Sequence, residues 1–463
     1  MSLAELAGAL STGQLSSREL VEAHLHRIDE INPLVNAVVT VDADCALASA
    51  KKVDELRARG TDLPLLSGVP MTHKDTHETE GMRTTFGSPI FADNVPNRDD
   101  LVVARLKSAG VISTGKSNVP EFAAGAHTAN PVFGTTHNPY DPTRSASGSS
   151  GGAAAAIACG VQAAGDGSDT GGSLRLPAAF NNIVGLRPSN GWIPHVVPGN
   201  PWEWLSQPGF MARNVADVAL LMDLCSGPDP WGPTSRLDLG QFSDLDTGTD
   251  LSGWTIGFAP DLNGQVEVEG EVAEVVSKSE TVLTGLGAQL SHEAPPLDDA
   301  AEVFRLARAY EFAKNYGHLI GDHAEKMKST LRGNIQSGLD LGAADLFALD
   351  AARARLWVAM QVYFKCHDVL VTTTSQVEPF AADLDYPDTL NGKPITDYMA
   401  WVHATSLISA TGCPAISVPA GFSATGLPVG LQFIGPVGAD ARVLKAAQAF
   451  EGVTGHAQTH PPL

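Results

Sequence analysis

Two serine-glycine runs, Ser147-Gly148-Ser149-Ser150-Gly151-Gly152 and Gly167-Ser168-Asp169-Thr170-Gly171-Gly172-Ser173, flank the small-residue segment Ala153 to Gly165. Glycine has no Cβ, so backbone in such runs can turn sharply and approach a ligand closely, carrying the serine hydroxyls with it. Nucleophile sites are built this way. A glycine-rich loop can also cradle a phosphate, but the spacing is not G-x-G-x-x-G and no G-K-[ST] follows, which argues against nucleotide binding. The alanine-dense stretch from Gly151 to Gly160 predicts a closely packed core helix with its N-terminus beside Ser149.

A serine hydroxyl is a weak nucleophile at neutral pH and needs a base. The nearest candidate upstream is Lys74, at the end of Gly68-Val69-Pro70-Met71-Thr72-His73-Lys74-Asp75, a partly apolar run that reads as a strand entering a loop. In a dry pocket a lysine loses part of its preference for the charged form and becomes a base. Beside Asp75 it could instead be an ordinary surface ion pair. His73 and His77 stand at i and i+4, but the run is not H-E-x-x-H and its context is strand and loop, so no metal is expected there. Cys366-His367-Asp368 is triad-like in text only, since catalytic partners meet in space and not by adjacency.

At these residues the chain resembles the amidase signature family of serine hydrolases. The resemblance is carried by Gly68 to Asp75, by Gly148 to Gly152, and by Gly167-Ser168-Asp169-Thr170-Gly171-Gly172-Ser173 running on through Arg175 to Pro177 and Ala178. It continues through Gly185-Leu186-Arg187-Pro188, Met211 to Asp217, Gly412 to Pro419 and Gly426 to Gln432. Leu15 to Ile28 with Asn36-Ala37 is similar to the family's N-terminal helices. The departures are Ser147, where glycine is common, and Phe210, where proline often precedes Met-Ala-Arg.

What the resemblance implies is an α/β fold: one domain over residues 1–463, with a twisted mixed β-sheet enclosed by helices. Within it, 1–60 would be an N-terminal helical segment, 65–220 the signature core and 240–390 a variable pocket-forming region. It also implies a Ser-cisSer-Lys triad. Ser173 would be the nucleophile, Ser149 the proton relay after a cis peptide bond from Gly148, and Lys74 the terminal base, neutral at rest. The 24 positions from Ser149 to Ser173 identify Ser149, and not Ser150, as the bridging serine. Backbone N–H groups of Thr170, Gly171 and Gly172 are expected to converge on a developing oxyanion, with Asp169 and Arg175 holding that loop by hydrogen bonds and charge. Ala123 and Ala124 occupy the family's substrate-facing segment. Trp202, Trp204, Phe210 and Trp401, together with a helix from Ala300 to Tyr316 bearing Val303, Phe304, Leu306 and Tyr310, are expected to shape the pocket.

The implied function is an amidohydrolase that cleaves the C–N bond of small or aryl/apolar carboxylic amides through an acyl-enzyme on Ser173, without a cofactor. Ester or carbamate hydrolysis is the same chemistry on other substrates. The glutaminase subunit of a tRNA-dependent amidotransferase is another reading within the family, and a non-catalytic binding protein is one outside it. Fold alone does not choose among substrates.

Composition sets wider bounds. A chain of 463 residues, 43% hydrophobic, can bury a large core. The net charge of −22 repels phosphate polyanions and anionic membranes, so neither nucleic acid nor a membrane is an expected partner. Five scattered cysteines (Cys45, Cys159, Cys225, Cys366, Cys413) without C-x-x-C spacing fit a reducing cytoplasm. The N-terminus does not read as a secretory signal, no stretch is long enough for a membrane span, and a soluble protein, monomer or homodimer, is expected.

Locally, Ser16 with Glu19 three residues on forms a capping-box pattern for a helix through Glu30, and a second helix runs from Ala43 to Arg59 before Gly60. Short β-prone runs at Val69–His73, Val111–Gly115, Thr255–Ala259, Asp368–Thr373, Ala415–Val418 and Leu431–Ile434 alternate with helical segments, the α/β pattern. Cys225 to Asp250 reads as a long connection inside one domain, and the end after Thr459 as a surface tail.

Overall fold

In the computed structural model, which describes residues 1–197, 200–238, 240–244 and 248–463, the cap at Ser16 closes from both sides. Glu19 N–H donates to Ser16 Oγ at 3.1 Å and Ser16 N–H to Glu19 Oε2 at 2.9 Å. The helix that follows runs Ser17–Val35, beyond Glu30, and ends where Asn36 turns left-handed. The extension has a packing cause. Ile28, Ile31 and Val35 share one face and pack with Ala155, Ala156 and Cys159, so burial carries the helix past its polar stretch. The next helix, Ala43–Ala58, forms where the sequence placed it.

Three strands make a small sheet: β1 (Val38–Val41), β2 (Pro70–Lys74) and β3 (Ile112–Ser117), in the order β1-β3-β2, with β2 parallel and β1 antiparallel to β3. The main sheet comprises β4 (Ala164–Asp169), β5 (Val184–Arg187), β6 (Gln207–Ala212), β7 (Thr255–Phe258), β8 (Gln289–Ser291), β9 (Val369–Thr373), β10 (Ala415–Phe422) and β11 (Pro428–Ile434). Its eight strands lie in the order β8-β7-β9-β11-β10-β5-β6-β4. β7 pairs in parallel with β8 and β9, and the other pairings are antiparallel, which makes the sheet mixed.

Alternation along the strands sends side chains to opposite faces. Val369, Val371, Leu431 and Phe433 join a core with Val218, Met222, Leu444 and Phe450 of the helices Val215–Cys225 and Asp440–Thr454. Leu370 and Ile434 join a second core with Phe304, Leu356, Met360 and Ile408, from the helices Ala300–Tyr316, Ala343–Tyr363 and His403–Thr411. Each such side chain contributes about 1.5–3 kcal/mol on burial, so helices cover both faces of one sheet and the result is a single α/β domain.

The alanine-dense segment is the helix Gly151–Ala158, every residue of which is buried. Of the connection from Cys225 to Asp250, residues 239 and 245–247 lie outside the described residues; its Phe242 is buried edge-on against Trp192, with ring centroids 5.0 Å apart. The chain end is tied down: Tyr140 Oη and Asn182 Nδ2 both donate to Thr459 O. Among the described residues no helix is long and apolar enough to cross a membrane.

Candidate active site

Three chain segments meet at one place. β2 ends in Lys74, the first serine run leads into the helix Gly151–Ala158, and β4 ends at Asp169, from which the second run turns into the short helix Arg175–Phe180. Asp166 on β4 anchors the end of β2. Its carboxylate accepts Lys74 N–H at 2.9 Å and faces the Nδ1 atoms of both His73 and His77. Burial opposes ionisation of Asp166, but these two rings hold its carboxyl well below the usual range. The i, i+4 histidines are thus joined by one carboxylate, and His73 Nε2 meets Ser113 Oγ at 2.8 Å.

Lys74 is fully buried, and its Nζ ends among hydroxyls: 2.8 Å from Ser149 Oγ, 2.9 Å from Ser150 Oγ and 3.0 Å from Ser168 Oγ, with Ser168 O at 3.3 Å. It forms no ion pair with its neighbour Asp75, whose carboxylate accepts from Thr85 instead. Desolvation lowers Lys74 to about 7, outweighing the charges of Asp169 and Asp166 that act to raise it. The Gly148–Ser149 peptide is cis. The two serine runs are tied together where Ser150 N–H donates to Ser173 O at 3.2 Å.

The 169–175 loop is organised around Asp169. Its carboxylate accepts Gly172 N–H at 2.8 Å and Leu174 N–H at 3.1 Å, and takes a two-pronged pair from Arg175 Nη2 and Nε at 2.8 and 3.0 Å. Burial disfavours the charge, yet the guanidiniums of Arg175 and Arg187 hold this carboxyl well below the usual range. Arg175 reaches onward to Gln432 Oε1 at 2.6 Å and Ser409 Oγ at 2.7 Å, and so fastens the loop to β11 and to the helix His403–Thr411. Gly172 has φ +127°, and a Cβ there would stand 2.3 Å from Thr405 Oγ1, so only glycine fits.

One expected oxyanion donor is corrected by this arrangement. The Gly172 N–H is committed to Asp169, whereas the amides of Thr170 and Gly171, and that of Ser173 itself, take part in none of the chain's hydrogen bonds among the described residues. The free Ser173 amide was not among the expected donors.

Ser173 opens into a narrow cavity of about 40 Å³ walled by Ala123, Thr170, Gly171, Leu176, Phe304, Arg308, Phe312, Tyr398, Met399 and Val402, among others. Several expected wall residues lie elsewhere. Ala124 turns into a cluster with Phe122, Met327 and Leu331. Trp202 is 66% exposed, outside the cavity. Trp204 packs on the core beneath the Arg353 guanidinium, 3.7 Å from its ring centroid. Phe210, on β6 beside the edge strand β4, and Trp401, edge-on to Phe380 at 5.2 Å, are core residues. On the helix Ala300–Tyr316, Val303 and Leu306 are buried in the core and Tyr310 is partly exposed, while Phe304, Arg308 and Phe312, one helical turn apart in succession, form the wall. That Phe-x-x-x-Arg-x-x-x-Phe row was the available signal. Cys366, His367 and Asp368 do not form a triad: His367 stacks on Tyr363 and Asp368 accepts Thr255 N–H.

Comparisons with known proteins bear on this geometry. A family profile described as Amidase matches residues 19–444. An acylamidase from Rhodococcus erythropolis is 34% identical over 473 residues, covering 100% of this chain and 97% of that one. A glutamyl-tRNA(Gln) amidotransferase subunit from Synechococcus sp. (strain CC9605) is 36% identical over 469 residues, covering 96% of this chain and 94% of that one. The crystal structure of a bacterial aryl acylamidase of the amidase signature family superposes with a TM-score of 0.92 at 28% identity, covering 99% of this chain and 98% of that one.

Proposed function

The chain belongs to the amidase signature family and is a hydrolase of C–N bonds, and from that premise we propose that its reaction runs through Ser173, Ser149 and Lys74. The observation that carries the proposal is the buried Lys74 amine, held by hydroxyls 2.8 and 2.9 Å away in place of a carboxylate. An amine lowered to about 7 is substantially neutral at physiological pH and offers a lone pair to Ser149.

In the first half-reaction Ser173 Oγ attacks the amide carbon, its proton passes to Ser149 Oγ, and the Ser149 proton passes to Lys74 Nζ. The carbonyl oxygen takes the negative charge within reach of the unpaired amides near Thr170 and Gly171, each such donor stabilising the transition state by about 3 kcal/mol. The proton then returns through Ser149 to the nitrogen, the C–N bond breaks, and an amine leaves with the acyl group on Ser173. Water repeats the sequence and releases the acid. Asp169 and Arg175 keep the loop amides aimed, the role their bonds to Gly172, Leu174 and Gln432 support.

The substrates we assign are small amides with aryl or apolar parts, a reading supported by the Leu176, Phe304, Phe312, Met399 and Val402 wall and by relatives named acylamidase and aryl acylamidase. The same acyl-enzyme would accept esters and carbamates. The relatives named for a glutamyl-tRNA(Gln) amidotransferase support a second reading, a glutaminase working within a complex. Cytoplasmic residence is part of the proposal, supported by five free thiols.

Steady-state hydrolysis of acetyl and benzoyl anilides, the matching aryl esters and carbamates, and glutamine separates these readings. Anilide turnover above glutamine turnover by the isolated chain supports the stand-alone amidase. Glutamine turnover alone, or activity only with a copurifying partner, overturns it in favour of the glutaminase.

A further inference from the structure

Beside the reaction cavity lies a larger one of about 360 Å³, and Phe304, Arg308 and Met399 belong to the walls of both. Three helices bound it: Ala300–Tyr316 gives Arg308, Ser329–Leu339 gives Asn334, and His403–Thr411 gives His403 and Ser406. Arg308 Nη1 donates to Asn334 Oδ1 at 2.7 Å, and the guanidinium lies over the Phe312 ring, 4.9 Å from its centroid. Among the described residues Arg308 pairs with no carboxylate; burial acts on it first, and the titratable groups coupled to it include Tyr398 and the buried Lys328.

Two further polar atoms of the wall residues have no partner among the described residues. Asn334 Nδ2 and Ser406 Oγ are buried and make no hydrogen bond, and Ser406 is 1% exposed. Buried donors are normally satisfied, so two orphans beside an unpaired guanidinium describe a place prepared for an acceptor that arrives from outside.

The charge around the cavity selects the acceptor. At the rim Arg305 stands 3.9 Å from Glu302, both side chains well exposed. Asp397 is exposed and accepts Met399 N–H at 3.0 Å, while burial keeps His403 toward its neutral form. Among the described residues that line this cavity, Arg308 is therefore a cation without a counter-charge. A single negative charge with two coplanar oxygens matches a guanidinium fork, and neutral N–H and O–H donors complete the set; a dianion would also face Glu302 and Asp397.

We infer that the preferred substrates of this chain are amides bearing a carboxylate at the end remote from the scissile C–N bond, seated on Arg308 with Asn334 and Ser406. The inference rests on Ser173 as the reacting residue, because Arg308 is placed by the cavity it shares with Ser173. It turns a general preference for apolar amides into a bipolar one: apolar wall along the body, a cation at the end.

The test is kcat/KM on two matched pairs of anilides. In the first, glutaryl p-nitroanilide is compared with its isostere in which isopropyl replaces the carboxylate; in the second, acetanilides carry para-carboxylate or para-isopropyl. The wild type is expected to favour the charged member of at least one pair by about tenfold or more, the scale of a charge-assisted hydrogen-bond set. Arg308→Gln should erase that ratio, Arg308→Lys should keep part of it, and Ser406→Ala should lower it about threefold. Should the Arg308 variants not fold, Asn334→Asp, which sets a carboxylate against the guanidinium, must lower the same ratio. No charge preference in either pair, or Arg308 variants that scale both members equally, overturns the inference while neutral anilides still turn over. Failure of all four substrates together with no fluorophosphonate adduct on Ser173 overturns the reaction assignment beneath it.

Discussion

Lys74 and Lys116 stand on the adjacent strands β2 and β3, both fully buried, and their surroundings differ in kind. Lys74 ends among the hydroxyls of Ser149, Ser150 and Ser168, at the floor of the segment that leads to Ser173. Lys116 donates to His77 O and, at 2.9 Å, to Thr79 Oγ1, and feels the charge of Asp75. Desolvation lowers both amines, Lys74 to about 7 and Lys116 to about 8. A depressed pKa is common to the two regions; of the two nitrogens, the one set among serine hydroxyls is that of Lys74, and the proposed relay rests on that difference. Burial leaves a lysine neutral enough near pH 7 to accept a proton, and what its nitrogen touches bears on whether that capacity is used.

The largest effect is expected at the far end of the proposed relay. Ser173→Ala should lower kcat on an anilide by about 10⁴- to 10⁶-fold, the scale of losing a nucleophile, while the melting temperature stays close to wild type, because one partly exposed hydroxyl is removed from a loop held by Asp169 and Arg175. Loss of folding in place of loss of rate would count against a chemical role.

Next in size is Lys74→Ala, expected to cost about 10³-fold on an anilide and clearly less on the matching activated aryl ester. An amine must be protonated as it leaves, whereas a phenolate departs with less help. Equal losses on the two substrates would show that Lys74 carries no proton to the leaving group.

Lys116→Met sharpens the contrast, for it should act on stability before chemistry. Removing the ammonium takes a donor from His77 O and Thr79 Oγ1 and a nearby positive charge from buried Asp75, and a loss of about 3 kcal/mol in denaturant unfolding is expected. With the folded fraction held constant, kcat should change far less than in Lys74→Ala. A kcat loss equal to that of Lys74→Ala would erase the distinction.

Smallest of all is Trp202→Ala. The side chain is largely exposed and outside the cavity, so stability should shift by no more than about 0.5 kcal/mol and the substrate profile should hold. A changed ratio of bulky to small anilides would return Trp202 to the pocket.

The same contrast explains what the sequence made legible. Serines and a lysine embedded in glycine-rich motifs announce their chemistry because few other residues fit, as at Gly172. The apolar strands β7, β9, β10 and β11 were readable from runs such as Val369 to Thr373. β4 was not: Ala164-Gly165-Asp166-Gly167-Ser168-Asp169 has neither β-branched residues nor alternation, and it is a strand because β6 pairs with it along its length. Pocket walls were the hardest to read. Trp202, Trp204, Phe210 and Trp401 fall in regions that often line the family's pocket, but an aromatic side chain is as well placed in a core as in a cavity. Phe304, Arg308 and Phe312 line the cavity because the helix Ala300–Tyr316 is docked in one rotation, which tertiary packing sets and local sequence does not.

In the proposed reaction a neutral Lys74 draws the proton of Ser173 through Ser149. The rate of covalent labelling by a fluorophosphonate, followed from about pH 5 to about pH 9 and mapped by peptide mass, tests it directly. Only the unprotonated amine accepts a proton, so labelling should rise with pH through about 7, level off above it, and fall on Ser173. A rate that does not change with pH in the wild type, or an adduct on Ser149 or Ser150, would contradict the claim.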